Sequence, residues 1–130
     1  MAKTLVEKLF IKPSYRIAVL NAPEAYLSTV LVELPGDVVV AEALDGTFDL
    51  IQYFTRTWGE LEPAIEGLKA GLKAGAPIWF CYPKGGDKAR IPTDLNRDKL
   101  WSLLTPFGFT PNHQIAIDET WSALRFKTVG

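Results

Sequence analysis

Residues 16–27 read RIAVLNAPEAYL. Ile17, Ala18, Val19 and Leu20 form an unbroken apolar run of the kind that lies in a parallel strand covered on both faces. From Pro23 to Leu34 the apolar residues Tyr26, Leu27, Val30, Leu31 and Leu34 then recur at a period of 3.6, and Pro35-Gly36 ends the pattern. A strand feeding a helix in this way is the signature of an α/β domain, and the turn between them is where many such domains hold a cofactor on glycines. There is no glycine from Arg16 to Pro35. Asn21 reads as a helix N-cap, Pro23 sits in a first turn that does not need its amide, and Glu24 reads as the return half of a capping box. Pro23 removes a donor and Glu24 places negative charge at the helix start, so an anionic ligand is disfavoured there. The competing reading has Asn21 and Glu24 binding an amine or hydroxyls at the mouth of a sheet.

Outward from this unit the pattern repeats. Thr4 and Glu7 make a capping box for a short first helix that stops at Lys12-Pro13. Val38–Val40 and Phe48–Phe54 read as strands. The link from Ala41 to Thr47 is too short for a crossover helix, and its Asp45-Gly46 pair also suits a hairpin, so both topologies remain open here. Thr57 and Glu60 form a second capping box before Leu61, Ile65, Leu68 and Leu72, with Pro63 near the start and Gly75 as the terminal glycine. Pro77–Tyr82 is the most apolar run and reads as a central strand. Thr93 or Asp94 caps a helix striped by Leu95, Leu100, Leu103 and Leu104, which Pro106 and Gly108 end. Gln114–Ile117 and Ser122–Lys127 read as an antiparallel pair. The expected fold is a three-layer α/β sandwich, with a mostly parallel sheet and an antiparallel C-terminal strand, forming one domain over 1–130.

The 130 residues are 48% apolar and 22% charged, ordinary for a globular domain with a core of its own. Fourteen basic and 15 acidic residues leave a net charge of −1, so no global field points to nucleic acid or an anionic membrane. One cysteine, Cys81, excludes an internal disulfide and a thiolate metal cluster. The start MAKTLVEKLFIKPSYR has no long apolar segment, and a cytoplasmic location is expected.

In sheets of this type ligands sit beyond the carboxyl ends of the strands, near the reversal of strand order. That rule nominates Asn21 to Glu24, Thr55 to Thr57, and Tyr82 to Arg90. The third is the most basic: Lys84, Lys88 and Arg90 flank Gly85-Gly86, and Lys84 stands nearest the strand end, able to hold a small anion. The spacing matches no phosphate-loop motif. Asp94, Asn96 and Asp98 offer metal oxygens, but a helix start explains them more simply, and no metal is expected. His113 has no partner for a zinc site or triad and reads as a loop histidine; Cys81, inside an apolar strand, reads as an inert thiol. Asp118 and Trp121 either line a pocket with Ser122 and Arg125, or organise a hairpin turn and pack on a helix.

The order of elements resembles the class I S-adenosylmethionine-dependent methyltransferase fold lacking one strand and two helices from its first half. More narrowly, the chain resembles a family of short uncharacterised bacterial proteins built on that reduced fold, through LNAPE (20–24), Phe48–Phe54, WFCYPK (79–84), TDLNRD (93–98) and AIDETWSALRF (116–126). The resemblance implies the fold, and places Glu42 where methyltransferases carry a ribose-binding carboxylate. It does not carry over the glycine turn that cradles the cofactor's methionine part. The expected function is therefore a degenerate methyltransferase-like domain without S-adenosylmethionine chemistry and without a cofactor, binding a small ligand or a partner. Two alternatives stand beside it: an enzyme using Lys84 with Asp94 or Asp118 as acid or base, and a homodimeric interaction module.

Overall fold

Six strands form one sheet in the order β2-β1-β3-β4-β6-β5. They are β1 (Arg16–Leu20), β2 (Val39–Ala41), β3 (Leu50–Phe54), β4 (Pro77–Pro83), β5 (Phe109–Ala116) and β6 (Trp121–Thr128). The helices are α1 (Leu5–Lys8), α2 (Trp58–Leu61), α3 (Ile65–Ala70) and α4 (Arg97–Leu104). The structure, a computed structural model, describes residues 4–24, 26, 34–84 and 91–128. Most of the helix expected from Pro23 to Leu34 lies outside these.

The first four strands in the row run parallel, and β6 inserts antiparallel between β4 and β5. β3 and β4 are buried at every position, and Gln52, the polar residue within β3, donates to the Tyr26 hydroxyl at 2.7 Å. Alternate residues feed two cores. Ala18, Ile51, Ile78, Phe80 and Phe126 meet Leu61, Ile65 and Leu68 of the α2–α3 segment and Leu100 and Leu104 of α4. On the opposite face Ile17, Val19, Leu50, Phe54 and Trp79 meet Val6 and Leu9 of the α1 segment and Tyr26. Both faces are covered, which makes the three layers.

The open question of the 41–47 link is decided against the hairpin. β2 and β3 are not neighbours; they flank β1, both parallel to it. The chain from 42 to 49 crosses over β1, and eight residues reach roughly 26 Å, ample for two strand spacings of about 4.8 Å. Because β2 is only three residues long, little return along the strand is needed and no helix has to supply it. Arg16 fastens the crossing. Its guanidinium donates to the carbonyls of Thr47 at 2.6 Å and of Asp45, and lies 4.2 Å from the Phe48 ring centroid. Asp49 accepts from the Arg16 amide at 2.7 Å and from Lys73 at 3.1 Å. Leu44 lies so close over Gly71 that an added Cβ would meet its methyl at 3.0 Å.

Three helix boundaries differ from expectation. Pro63 sits inside a 3₁₀ turn (Glu62–Ala64) that divides α2 from α3. The helix then ends at Ala70, because Leu72 is drawn into a bridge with Phe48, whose amide donates to Gly71 and whose carbonyl accepts from Lys73. α4 is capped by Asn96, whose side chain accepts from the Lys99 amide at 2.8 Å, not by Thr93 or Asp94. The first capping box, by contrast, forms as read: Thr4 and Glu7 bond reciprocally.

Candidate functional site

At the carboxyl end of β1, Asn21 does not adopt the extended backbone of an N-cap. It has φ +57, the left-handed conformation that asparagine tolerates better than other side-chain-bearing residues. The tight bend that a glycine would make is made here by Asn21, and its side chain is bonded to Tyr53. Burial, with the Glu60 carboxylate nearby, holds the Tyr53 hydroxyl above the ordinary tyrosine value against that bond, so it remains protonated. Glu24 is exposed, and Tyr26 closes the turn by donating to the Pro23 carbonyl at 3.0 Å.

The turn after β3 is likewise spent on structure. Thr55, fully buried, donates its amide to Cys81 and its hydroxyl to the Thr57 carbonyl. Thr57 accepts from Glu60, the Arg56 carbonyl accepts from Thr93, and Asp94 accepts from the Trp58 amide at 3.0 Å. Asp94 thus caps α2, a helix remote from it in sequence.

The end of β4 differs. Tyr82, Lys84, Arg97 and Asp98 line an open cleft of about 480 Å³ together with Asn96, Gln114 and Ser122. The Lys84 amide donates to the Thr120 carbonyl at 2.8 Å, fixing its backbone against the β5–β6 turn. Gln114 donates to the Tyr82 hydroxyl at 3.3 Å, which leaves the phenolic proton to point elsewhere. Burial keeps that hydroxyl above the ordinary tyrosine value despite the pull of Gln114 and Arg97, so Tyr82 donates at neutral pH. An ammonium, a guanidinium and two hydroxyls therefore share one cleft with a single carboxylate, Asp98, which pairs loosely with its neighbour Arg97 at 3.4 Å. Such a donor-rich surface suits a small anion.

Of the residues singled out in the sequence, the fold brings Tyr82 and Lys84 together and adds Asn96, Asp98 and Ser122. Arg97 and Gln114 were not anticipated. Nothing local marks them, because Arg97 starts a helix and Gln114 lies on the edge strand, and only the packing of α4 beside β5 brings them to one cleft. Arg90 and Lys88 lie outside the described residues.

The remaining candidates have other work. Asp118 accepts from the amides of Thr120 and Trp121, both at 2.8 Å, and organises the hairpin turn. Trp121 is only 5% exposed and meets Phe54 edge-on at 5.1 Å, within the core. It belongs to the core cluster that also holds Val6 of α1 and Tyr26. Asp94 and Asp118 are not among the walls of the cleft that Lys84 lines, and both carboxylates accept from backbone amides. His113 lies in β5 at a register shift, not in a loop, against Phe10 and Trp79. Cys81 is fully buried and its thiol is pushed up by desolvation. Glu42 is exposed just past β2. No helix among the described residues is long and apolar enough to cross a membrane.

No protein-family model and no curated protein matches the sequence. Solved structures do match in fold. A methyltransferase dependent on S-adenosylmethionine from Aquifex aeolicus superposes with a TM-score of 0.66 at 14% identity, over 96% of this chain and 88% of that one. The fibrillarin pre-rRNA processing protein of Methanococcus jannaschii gives 0.65 at 14%, over 92% and 69%. The ribosomal protein L11 methylase of Lactobacillus delbrueckii subsp. bulgaricus gives 0.58 at 16%, over 96% and 75%. At these identities the likeness is one of fold: the chain has a reduced, methyltransferase-like α/β fold.

Proposed function

We propose that this domain binds a small anion in the cleft beyond β4 and does not transfer methyl groups from S-adenosylmethionine. The observation that carries the reading is the convergence of Lys84 and Arg97, from separate elements, on a cleft also lined by Tyr82 and Ser122. The second half rests on the turn after β1. There the bend is made by Asn21, whose side chain is engaged by Tyr53, and Pro23 and Glu24 weaken the helix start as an anion site. The strand order reverses at β1, between β2 and β3. The cleft thus lies away from the reversal, where a dinucleotide-type ligand ordinarily binds.

Isothermal titration of the protein with inorganic phosphate, malonate, S-adenosylmethionine and its demethylated product tests both halves. Phosphate or malonate is expected to bind, and the double variant Lys84→Ala, Arg97→Ala to lose that binding. Micromolar binding of S-adenosylmethionine would overturn the non-methylating half. Equal anion binding by wild type and double variant would overturn the other.

A further inference from the structure

A second cleft, of about 310 Å³, adjoins the first, and Arg97 and Gln114 line both. Its other walls are Trp101 on α4, Pro111, Asn112 and His113 on β5, and Leu124 on β6, so an indole, a proline ring and a leucine stand among two polar side chains. Trp101 is 51% exposed, unlike Trp79 and Trp121, which are buried at 0% and 5%. A half-exposed indole in a cleft that proline and leucine also line is a surface for a flat apolar group. Arg97 and Trp101 are four residues apart on α4, hence on one face and separated by about 6 Å along its axis.

We infer that the two clefts are one binding site for an aromatic anion, with its charged group between Lys84 and Arg97 and its ring against Trp101. The inference rests on the proposed anion site and deepens it by naming the ligand class. Arg97 sits at the junction, where one face of its guanidinium can meet the charge and its stem can cover the linker to the ring. The ring and charge are set about one helical turn apart. A carboxylate and a phosphate monoester satisfy that geometry alike, so the shared requirement is a ring carrying an anionic group on a short chain.

The probes are 4-phenylbutyrate and 2-phenylethyl phosphate, with butyrate, inorganic phosphate and uncharged 4-phenylbutanol as controls, titrated by calorimetry against wild type, Trp101→Leu and Arg97→Gln. At least one aromatic anion is expected to bind roughly tenfold or more tighter than its ring-free control, in line with the strength of stacking on exposed aromatic side chains, and the uncharged alcohol to bind least. Whichever anion wins identifies the head group. Trp101→Leu, an exposed position, is expected to erase the advantage of the ring while leaving inorganic phosphate binding unchanged, whereas Arg97→Gln weakens both. If phosphate binds and the ring adds nothing, or if Trp101→Leu keeps the ring's advantage, the aromatic site is overturned and the anion site stands. If no anion binds to wild type, both fall.

Discussion

The turns that leave β1 and β4 occupy equivalent places at the carboxyl edge of one parallel sheet, yet they spend their polar groups differently. After β1, Asn21 bends the chain in the left-handed region and bonds Tyr53. After β4, the Lys84 amide is bonded to the Thr120 carbonyl, and Lys84 lines a cleft with Arg97 and Tyr82. Position in the fold nominates both turns as ligand sites, and they differ in how far their side chains are committed to the protein.

Substitutions can break or sharpen that contrast. The largest effect is expected at Asn21. Asn21→Val places a β-branched residue at φ +57 and removes the Tyr53 bond, for a loss of about 2–3 kcal/mol by urea unfolding. Asn21→Gly loses the bond but gains an easy turn, and should cost about 1 kcal/mol or less. A valine variant as stable as wild type would show that the turn is not structural. Next is Arg16→Ala, which releases the 42–49 crossing from two carbonyl bonds and the Phe48 ring, at about 2 kcal/mol. Proteolysis beginning within 42–49 in that variant alone would locate the loss.

Lys84→Ala is the mirror image. Its unfolding free energy should stay within about 0.5 kcal/mol of wild type, as for an uncommitted surface residue, while small-anion affinity falls roughly tenfold, or about 1.4 kcal/mol. A variant that unfolds much more easily yet binds phosphate normally would reverse the assignment of the two turns.

The smallest effect is a pH dependence. Burial raises the Asp49 carboxyl, but the Arg16 amide and Lys73 outweigh it and hold the group below its ordinary value. A carboxyl depressed by folding stabilises the protein above its unfolded value, about 3.9, and that contribution fades as pH falls through the lower folded value. Thermal melts from pH 5 to pH 2.5 should show Asp49→Asn losing slightly less stability over the acid range than wild type. Parallel curves would mean that Asp49 contributes no acid sensitivity.

Much of the scaffold was legible because burial imposes it on composition. The runs at Ile17–Leu20 and Pro77–Tyr82 are apolar, and Leu50–Phe54 is apolar but for Gln52, because both faces are covered, and the Thr4 and Thr57 caps are local chemistry read over four residues. Asn21 was misread because N-capping and left-handed bending favour the same residue, and only the backbone angle separates them. Asp94 was misread because its partner amide, at Trp58, is 36 residues away in sequence. The helix expected to reach Leu72 stops at Ala70 because Phe48 competes for that segment's backbone groups.

For the proposed site, the sequence by itself favoured the turn after PIWFCY over the turn after RIAVL, since lysine near a strand end and the absence of glycine are local facts. It also determined the α/β class, through periodicities that persist along the chain. Tertiary structure alone decided that β2 and β3 flank β1, that Arg97 and Gln114 share a cleft with Lys84 and Tyr82, and that Trp101 lines a second cleft with Arg97 and Gln114. The reason is range. Burial and capping act on neighbours in the chain, whereas a cleft is made by elements whose separation in sequence carries no record of their contact.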